Sequence, residues 1–209
     1  MTITQAFSSP FVETITAGRS ESDLQNLSRF QSRHADKKLI RLNQKHTKTC
    51  LILDTDSADS TDLQAPADAI LTDRTDVILS VHTADCLPII LYHPSGVIGA
   101  IHAGRKGTES GILEQTLHSL KARWGVTQDV SLWFGPAICK DCYQIDRGLD
   151  LRYDLRAKNK VQAEHVFTNK SIEIIDSEHC TAHSNNDWFS YRKEGKGVQN
   201  NDSYICLVS

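Results

Sequence analysis

"DVILSVHTADCLPIILYHPSGVIGAIHA", residues 76–103, reads as three strands joined by two turns. Its runs "DVILSVH", "LPIILYH" and "VIGAIHA" are rich in Ile, Val and Leu, and each has the length of a buried strand. "HPSG" (93–96) predicts a hairpin turn, because Pro94 presets φ and Gly96 accepts a positive one. The same stretch holds His82, His93, His102 and Cys86, so it is the place to look for chemistry as well as for the core.

Downstream the period changes from strand to helix. "TESGILEQTLHSLKARWG" (108–125) predicts a helix, with Thr108 as N-cap and Glu109 in the first turn. Ile112, Leu113, Leu117, Leu120 and Trp124 share one face, and Gly125 is the stop. Further elements follow in "VSLWFGP" (strand, 130–136), "YDLRAKNKVQAEHV" (helix, 153–166), "SIEIID" (strand, 171–176) and "SYICLVS" (closing strand, 203–209). Upstream, "KLIRL" (38–42) and "TCLILD" (49–54) are short strands, and residues 55–68 form an acidic loop. Residues 1–38 are polar and weakly periodic. One short helix is expected within 19–34, capped by Ser20 or Ser22, with Leu24, Leu27 and Phe30 on one side. Strands outnumber helices and no regular βαβ series runs through the chain, so the expectation is a mixed-sheet α/β or α+β fold in one domain, 1–209.

The chain has 209 residues, of which 39% are hydrophobic and 23% charged, enough for a well-buried core. A net charge of −3 supplies no broad basic field, which argues against nucleic-acid binding. The first twenty residues lack the make-up of a secretory signal, and apolar runs such as "LPIILY" are too short to span a bilayer. The expected location is cytoplasmic. In that setting the six cysteines are read as thiols or ligands rather than disulfides. His34, His93, His118 and His165 sit among polar neighbours and are read as solvated. His82 and His93 are read as strand-end bystanders.

Cys86 and His102 end two strands that a hairpin returns to the same edge, and His46 lies in an earlier polar loop. Two imidazoles and a thiolate with a fourth position open are the donor set of a catalytic zinc. Spacing alone leaves open the alternative of a small buried Cys86 and a hydrogen-bonded His102. "CKDC" (139–142) is a second candidate, since C-x-x-C binds metals or cycles as a redox pair. With no second C-x-x-C to complete a zinc site, and no thioredoxin-like context, its cysteines are read as structural thiols. "HAGRKG" (102–107) precedes the predicted helix, so free N–H groups, the helix dipole, Arg105 and Lys106 are together expected to hold an anion. A turn with solvated charges is the alternative.

Taken together, the motifs resemble the YfiH-type family, whose members are variously called laccase-like polyphenol oxidase, peptidoglycan editing factor and purine nucleoside phosphorylase. The resemblance rests on "NQKHTK" (43–48), "TADCLPI" (83–89), "HAGRKG" (102–107), "GPAICKDCYQI" (135–145), "DLRAKNKVQ" (154–162), "CT" (180–181) and "FSYRKEG" (189–195), which occur in the family's order. It implies a layered α/β sandwich with mixed β-sheets, shared with certain deamidase toxins. It also implies one metal ion, zinc, held by His46, Cys86 and His102.

The implied substrates are purine nucleosides with phosphate, by phosphorolysis, by adenosine deamination, or by both. Zinc lowers the pKa of a water it holds, as attack on C6 of adenine requires. Asp85 is expected to handle a proton or orient a ligand, Arg105 and Lys106 to bind the anion, and Arg192 to assist. Four departures bear on substrate range: "QKHT" lacks the family's glycine after the histidine, "RK" replaces W-R, Gln144 replaces an acid, and the N-terminal region lacks the family's G-G-x-S and N-R segments. The alternatives are a copper-dependent polyphenol oxidase, a Cys86 nucleophile paired with His102, and a metal-binding protein with a weakened site. Against copper, the H-x-H groupings of multicopper sites do not occur in the sequence.

Overall fold

The computed structural model describes residues 1–53, 63–168 and 171–208. Its strands are β1 (Thr2–Thr4), β2 (Val12–Ala17), β3 (Lys38–Arg41), β4 (Cys50–Ile52), β5 (Ala69–Thr72), β6 (Val77–Thr83), β7 (Leu87–His93), β8 (Val97–Ala103), β9 (Val130–Phe134), β10 (Gln144–Asp146), β11 (Leu151–Arg152), β12 (Ile172–Asp176) and β13 (Asn201–Leu207). Its helices are α1 (Glu21–Arg33), α2 (Arg105–Glu109), α3 (Ile112–Trp124), α4 (Leu155–Val166) and α5 (Tyr191–Glu194). The strands form a five-stranded sheet in the order β1-β2-β13-β6-β3 and a six-stranded sheet in the order β12-β9-β7-β8-β5-β4, with β10 and β11 as a separate ribbon. Both large sheets are mixed: β3–β6, β12–β9 and β4–β5 pair in parallel, and the other pairs run antiparallel.

Three hydrophobic layers explain why the strand runs are almost continuously apolar. Along β6, Val77, Leu79 and Val81 enter a core that also holds Ile90, Ile98 and Trp133 of the other sheet. Ile78 turns the opposite way, toward Leu27 and Phe30 of α1. Along β7, Leu87, Ile89 and Leu91 face α3 and α4, while Ile90 and Tyr92 face the first sheet. The order of layers is therefore helix, sheet, sheet, helix. Both faces of each sheet are covered, so alternation between apolar and polar residues gives way to unbroken runs. Burying one such Leu or Ile contributes about 1.5–3 kcal/mol.

The hairpin at 93–96 forms as predicted, with Gly96 at φ 86° and its N–H donating to the His93 carbonyl at 3.0 Å. α1 is capped by Ser20 in a full capping box with Asp23. His34 is not solvated: it is buried behind α1, and its imidazole lies 3.2 Å from Glu13. The polar N-terminal segment contains β1 and β2, which the weak periodicity did not predict. Polar residues are buried there because they pair: Thr16 Oγ1 donates to Ser203 at 2.8 Å, and Thr14 Oγ1 accepts the Ala6 N–H at 2.6 Å. Of the acidic loop 55–68, residues 55–62 lie outside the described residues.

The helix predicted over 108–125 is two helices. Thr108 is not an N-cap but lies buried within α2, and α3 starts after Gly111, at φ 83°. Gly111 has no side chain to cap α3, so the cap comes from α4. Gln162 Oε1 accepts the N–H groups of Leu113 and Glu114 at 3.1 and 3.2 Å, and its Nε2 donates to the Thr108 carbonyl at 2.7 Å. Gly125 ends α3 in the left-handed region, as expected.

Candidate metal centre and adjoining cavity

The chain passes from one sheet to the other between the end of β6 and the start of β7, and the site is built at that crossing. Register brings two donors together. Leu87 of β7 pairs with Ala103 of β8 and Pro88 with His102, so Cys86 and His102 sit side by side. The His102 N–H donates to the Asp68 carbonyl on the other side of β8, at 2.7 Å. The loop before β4 brings in His46, whose Nε2 lies 3.6 Å from Cys86 Sγ. The donor atoms of His46, Cys86 and His102 all lie within 4.8 Å of one another.

Two carboxylates organise these donors. Asp68 is fully buried. Its oxygens accept the backbone N–H groups of Lys45, His46 and Thr47 at 3.1, 3.0 and 2.6 Å, and the Thr47 hydroxyl at 2.8 Å. It also meets His102 Nδ1 at 2.7 Å, which leaves Nε2 as the nitrogen available to a metal. This grip holds His46 at φ 59°, a left-handed backbone that is uncommon away from glycine. Asp85, at φ 86°, is held by its own side chain. Its carboxylate accepts from Thr181 Oγ1 and Ser190 Oγ at 2.7 Å each, and from the Arg192 N–H at 2.6 Å. Gln44 fastens the His46 loop to β6 by donating to the His82 carbonyl at 2.8 Å and accepting the His82 N–H at 3.0 Å.

Charge follows this geometry. Burial raises the cost of charge on Asp68, but hydrogen bonds from His102 and Thr47 outweigh it and hold the carboxyl far below its ordinary range. Burial likewise opposes charge on His102, yet Asp68 and then Cys86 raise its pKa to about 9. Burial alone would raise the Cys86 thiol, but hydrogen bonds from His102 and His46 bring it to about 7. The two histidine side chains thus hold the Cys86 thiol below its ordinary range despite its burial.

The donor set fits a single divalent metal. Space has been kept free around it: a Cβ at Gly104 would lie 2.4 Å from His46 Cδ2 and 3.0 Å from Cys86 Sγ. A side chain there would have to displace the His46 ring.

A cavity of about 860 Å³ opens in front of the three donors, and Asp85, Arg105, Tyr143, Arg147 and Arg192 also line it. The Arg192 guanidinium lies 5.5 Å from the Tyr143 ring centroid. Lys106 is exposed and lies outside the lining, whereas Arg105 of the same turn belongs to it. The N-terminus of α3 offers no anion site, because Gln162 already takes its N–H groups and Leu113 is buried.

Three contributors were not singled out from sequence. Asp68 closes what read as an acidic loop, although an acid directly before the apolar "AILT" was a usable signal. Tyr143 stood in a motif without a role. His82, read as a strand-end bystander, bonds Asp202 through Nδ1, and its ring lines the cavity, with Nε2 buried and without a hydrogen-bond partner among the described residues.

A four-layered sandwich of two mixed sheets, with a His/Cys/His centre at the crossing between them, defines a class of α/β proteins with a candidate metal centre. Within that class, residues 8–171 match the model of the multi-copper polyphenol oxidoreductase laccase family, and the chain belongs to this YfiH-type family. It is 34% identical over 175 residues to a Streptomyces griseus protein named purine nucleoside phosphorylase ORF3, covering 75% of this chain and 69% of that one. It is 26% identical over 151 residues to a prokaryotic protein named adenosine deaminase RL5, covering 61% and 57% of the two chains. Its fold matches YlmD from Geobacillus stearothermophilus at a TM-score of 0.77 and 23% identity, over 98% of this chain and 94% of that one. Among the described residues, no helix is long and apolar enough to cross a membrane.

Proposed function

We propose that this protein is a zinc enzyme acting on purine nucleosides, by phosphorolysis with phosphate, by deamination of adenosine, or by both. One observation carries the reading: His46, Cys86 and His102 converge on the wall of a cavity that also presents Arg105 and Arg192. Its volume of about 860 Å³ suits a nucleoside with an anion beside it. The names of the Streptomyces griseus and RL5 relatives support the same substrate class.

His46, Cys86 and His102 would hold the zinc, leaving one coordination position open. Bound there, zinc supplies Lewis acidity and a water of near-neutral pKa. Arg105 and Arg192 bind and orient phosphate. Burial, and then the charge of Cys86, raise the Tyr143 phenol, so it stays neutral and offers a hydroxyl and a ring edge to the substrate. We assign Asp85 a positioning role rather than proton transfer. Its carboxylate is committed to Thr181, Ser190 and the Arg192 backbone, which fixes Cys86 and the 190–192 segment together.

The test uses zinc-loaded protein with inosine plus phosphate, and separately with adenosine. Hypoxanthine with ribose-1-phosphate, or inosine with ammonia, is expected. Absence of both at full metal content would sink the proposal. Copper-dependent phenol oxidation has one observation in its favour, since two imidazoles and a thiolate also suit copper. Stoichiometric copper with phenol turnover would favour that second reading.

A further inference from the structure

The described residues bring together a second group of soft donors, separate from His46, Cys86 and His102. Cys139 and Cys142 follow β9, Cys180 and His183 follow β12, and their donor atoms all lie within 4.8 Å of one another. Cys142 Sγ is 3.3 Å from His183 Nε2, and Cys139 Sγ is 3.7 Å from His183 Nδ1. None of the three thiols is in a disulfide.

The backbone builds this cluster from two segments remote in sequence. The Ala137 N–H donates to the His179 carbonyl at 3.1 Å, and the Thr181 N–H returns to the Ala137 carbonyl at 3.2 Å. A tight turn then folds Cys142 back on Cys139, with the Cys142 and Tyr143 N–H groups on the Cys139 carbonyl at 3.2 and 3.0 Å. A second turn folds His183 back on Cys180, closed by the Ser184 N–H on the Cys180 carbonyl at 3.0 Å. Cys180 Sγ accepts the Cys139 N–H at 3.3 Å and is also reached by the N–H groups of Ala182 and His183. Arg156 ties the two segments together, donating to the carbonyls of Gly135 and His179 at 2.9 Å each.

A redox C-x-x-C would use Cys139 and Cys142 and leave the approach of Cys180 and His183 without a purpose. A tetrahedral ion uses all four. Zinc–sulfur bonds of about 2.3 Å imply sulfur–sulfur edges of about 3.8 Å, below the 4.8 Å within which all four donor atoms lie. Three thiols and an imidazole with no position left open are the donor set of a structural site, unlike the three-donor centre in the cavity.

We propose that Cys139, Cys142, Cys180 and His183 form a second metal site, a structural Cys3His zinc site. The zinc would staple the 135–144 loop to the 177–184 segment. Both segments serve the cavity: Tyr143, beside Cys142, lines it, and Thr181, beside Cys180, donates to Asp85 next to Cys86. The site read as two plain structural thiols in "CKDC" becomes half of a C-x-x-C…C-x-x-H set. The proposal does not depend on nucleoside chemistry or on metal in the cavity centre.

The experiment measures zinc per chain by mass spectrometry, after zinc loading and desalting, in three full-length proteins. Wild type should hold close to two equivalents, and Cys86→Ala/His102→Ala should keep one. Cys180→Ser/His183→Ala should also keep one and melt at a lower temperature than wild type. Cys86→Ala/His102→Ala protein without zinc overturns the proposal and leaves the cavity centre standing. So does a native Cys139–Cys142 disulfide, read as a two-hydrogen mass loss in protein that holds no zinc at these residues. If Cys180→Ser/His183→Ala does not fold, cobalt-loaded Cys86→Ala/His102→Ala decides. Intense sulfur-to-cobalt charge-transfer bands with tetrahedral visible bands support the site, and a spectrum without them overturns it.

Discussion

Asp68 Oδ1 lies 2.7 Å from His102 Nδ1 while the same carboxylate grips three consecutive N–H groups of the His46 loop. One buried side chain thereby sets the orientation of two of the three donors in the cavity centre. Asp68→Asn removes the charge and half of the acceptor capacity while keeping the shape. Zinc affinity should fall about 10- to 100-fold, the usual effect of losing such a partner. Competition with a chromophoric chelator measures it, and unchanged affinity would show that the loop holds itself.

Gly104→Ala tests the space around the donors rather than the donors themselves. The new Cβ would meet the His46 ring at 2.4 Å and Cys86 Sγ at 3.0 Å. His46 must be displaced, so zinc content of the cavity centre should drop sharply, with far-ultraviolet circular dichroism unchanged. An alanine variant with wild-type zinc content would mean that the loop carrying His46 yields easily.

Arg105 and Lys106 are adjacent in sequence but unequal in place, since Arg105 lines the cavity and Lys106 is exposed outside it. If phosphorolysis is the activity, Arg105→Ala should raise the KM for phosphate about tenfold or more, as loss of a charge-assisted contact does. Lys106→Ala should have a much smaller effect. Equal effects would return the anion to the turn itself.

The interior of the sandwich was legible in sequence wherever side chains are apolar and close to their partners along the chain. The three strands of 76–103 with the hairpin between β7 and β8, and α1, α4 and β13, follow directly from periodicity and turn residues. β2 was hidden because Thr14 and Thr16 are buried by pairing rather than by being apolar. The break at Gly111 was hidden because the cap for α3 comes from Gln162, on a helix remote in sequence. The same reasoning separates the two clusters of soft donors. Cys86 and His102 could be brought together from hairpin register alone, whereas joining "CKDC" to Cys180 and His183 required the parallel bridge between Ala137 and Cys180.

Gln162 gives a stability prediction free of any ligand. Gln162→Met keeps the bulk but strands the Leu113 and Glu114 N–H groups, in a region where Leu113 is buried, while the Thr108 carbonyl keeps the Gly111 N–H. Each unsatisfied buried group costs about 1–3 kcal/mol. Urea unfolding should therefore show a loss of at least that size, and a shift within error would mean that water reaches the α2–α3 corner.

Acid stability should depend on Asp23. Burial would raise its pKa, but the chain's amino group, Thr2 and Ser20 together lower it below 3.8. A depressed folded-state pKa contributes stability that is complete above the unfolded value and fades as pH falls through the folded one. Urea midpoints taken from about pH 6 to pH 3 should decline on the acid side, and Asp23→Asn should be less stable at neutral pH and flatter in acid. Parallel profiles for the two proteins would assign the acid loss to other carboxylates.

The turn at Lys45–His46–Thr47 has a further consequence. Successive N–H groups pointing into one concavity, with a left-handed residue between, form the kind of nest that proteins commonly offer to phosphates and other external anions. Here the guest is the chain's own Asp68, delivered from the start of β5. The nest is permanently occupied, and neither salt nor phosphate in solution can compete for it on equal terms with a tethered carboxylate. His46 is therefore aimed before any ion or substrate arrives, and ionic strength should act on the arginines across the cavity while leaving the His46 loop where it is.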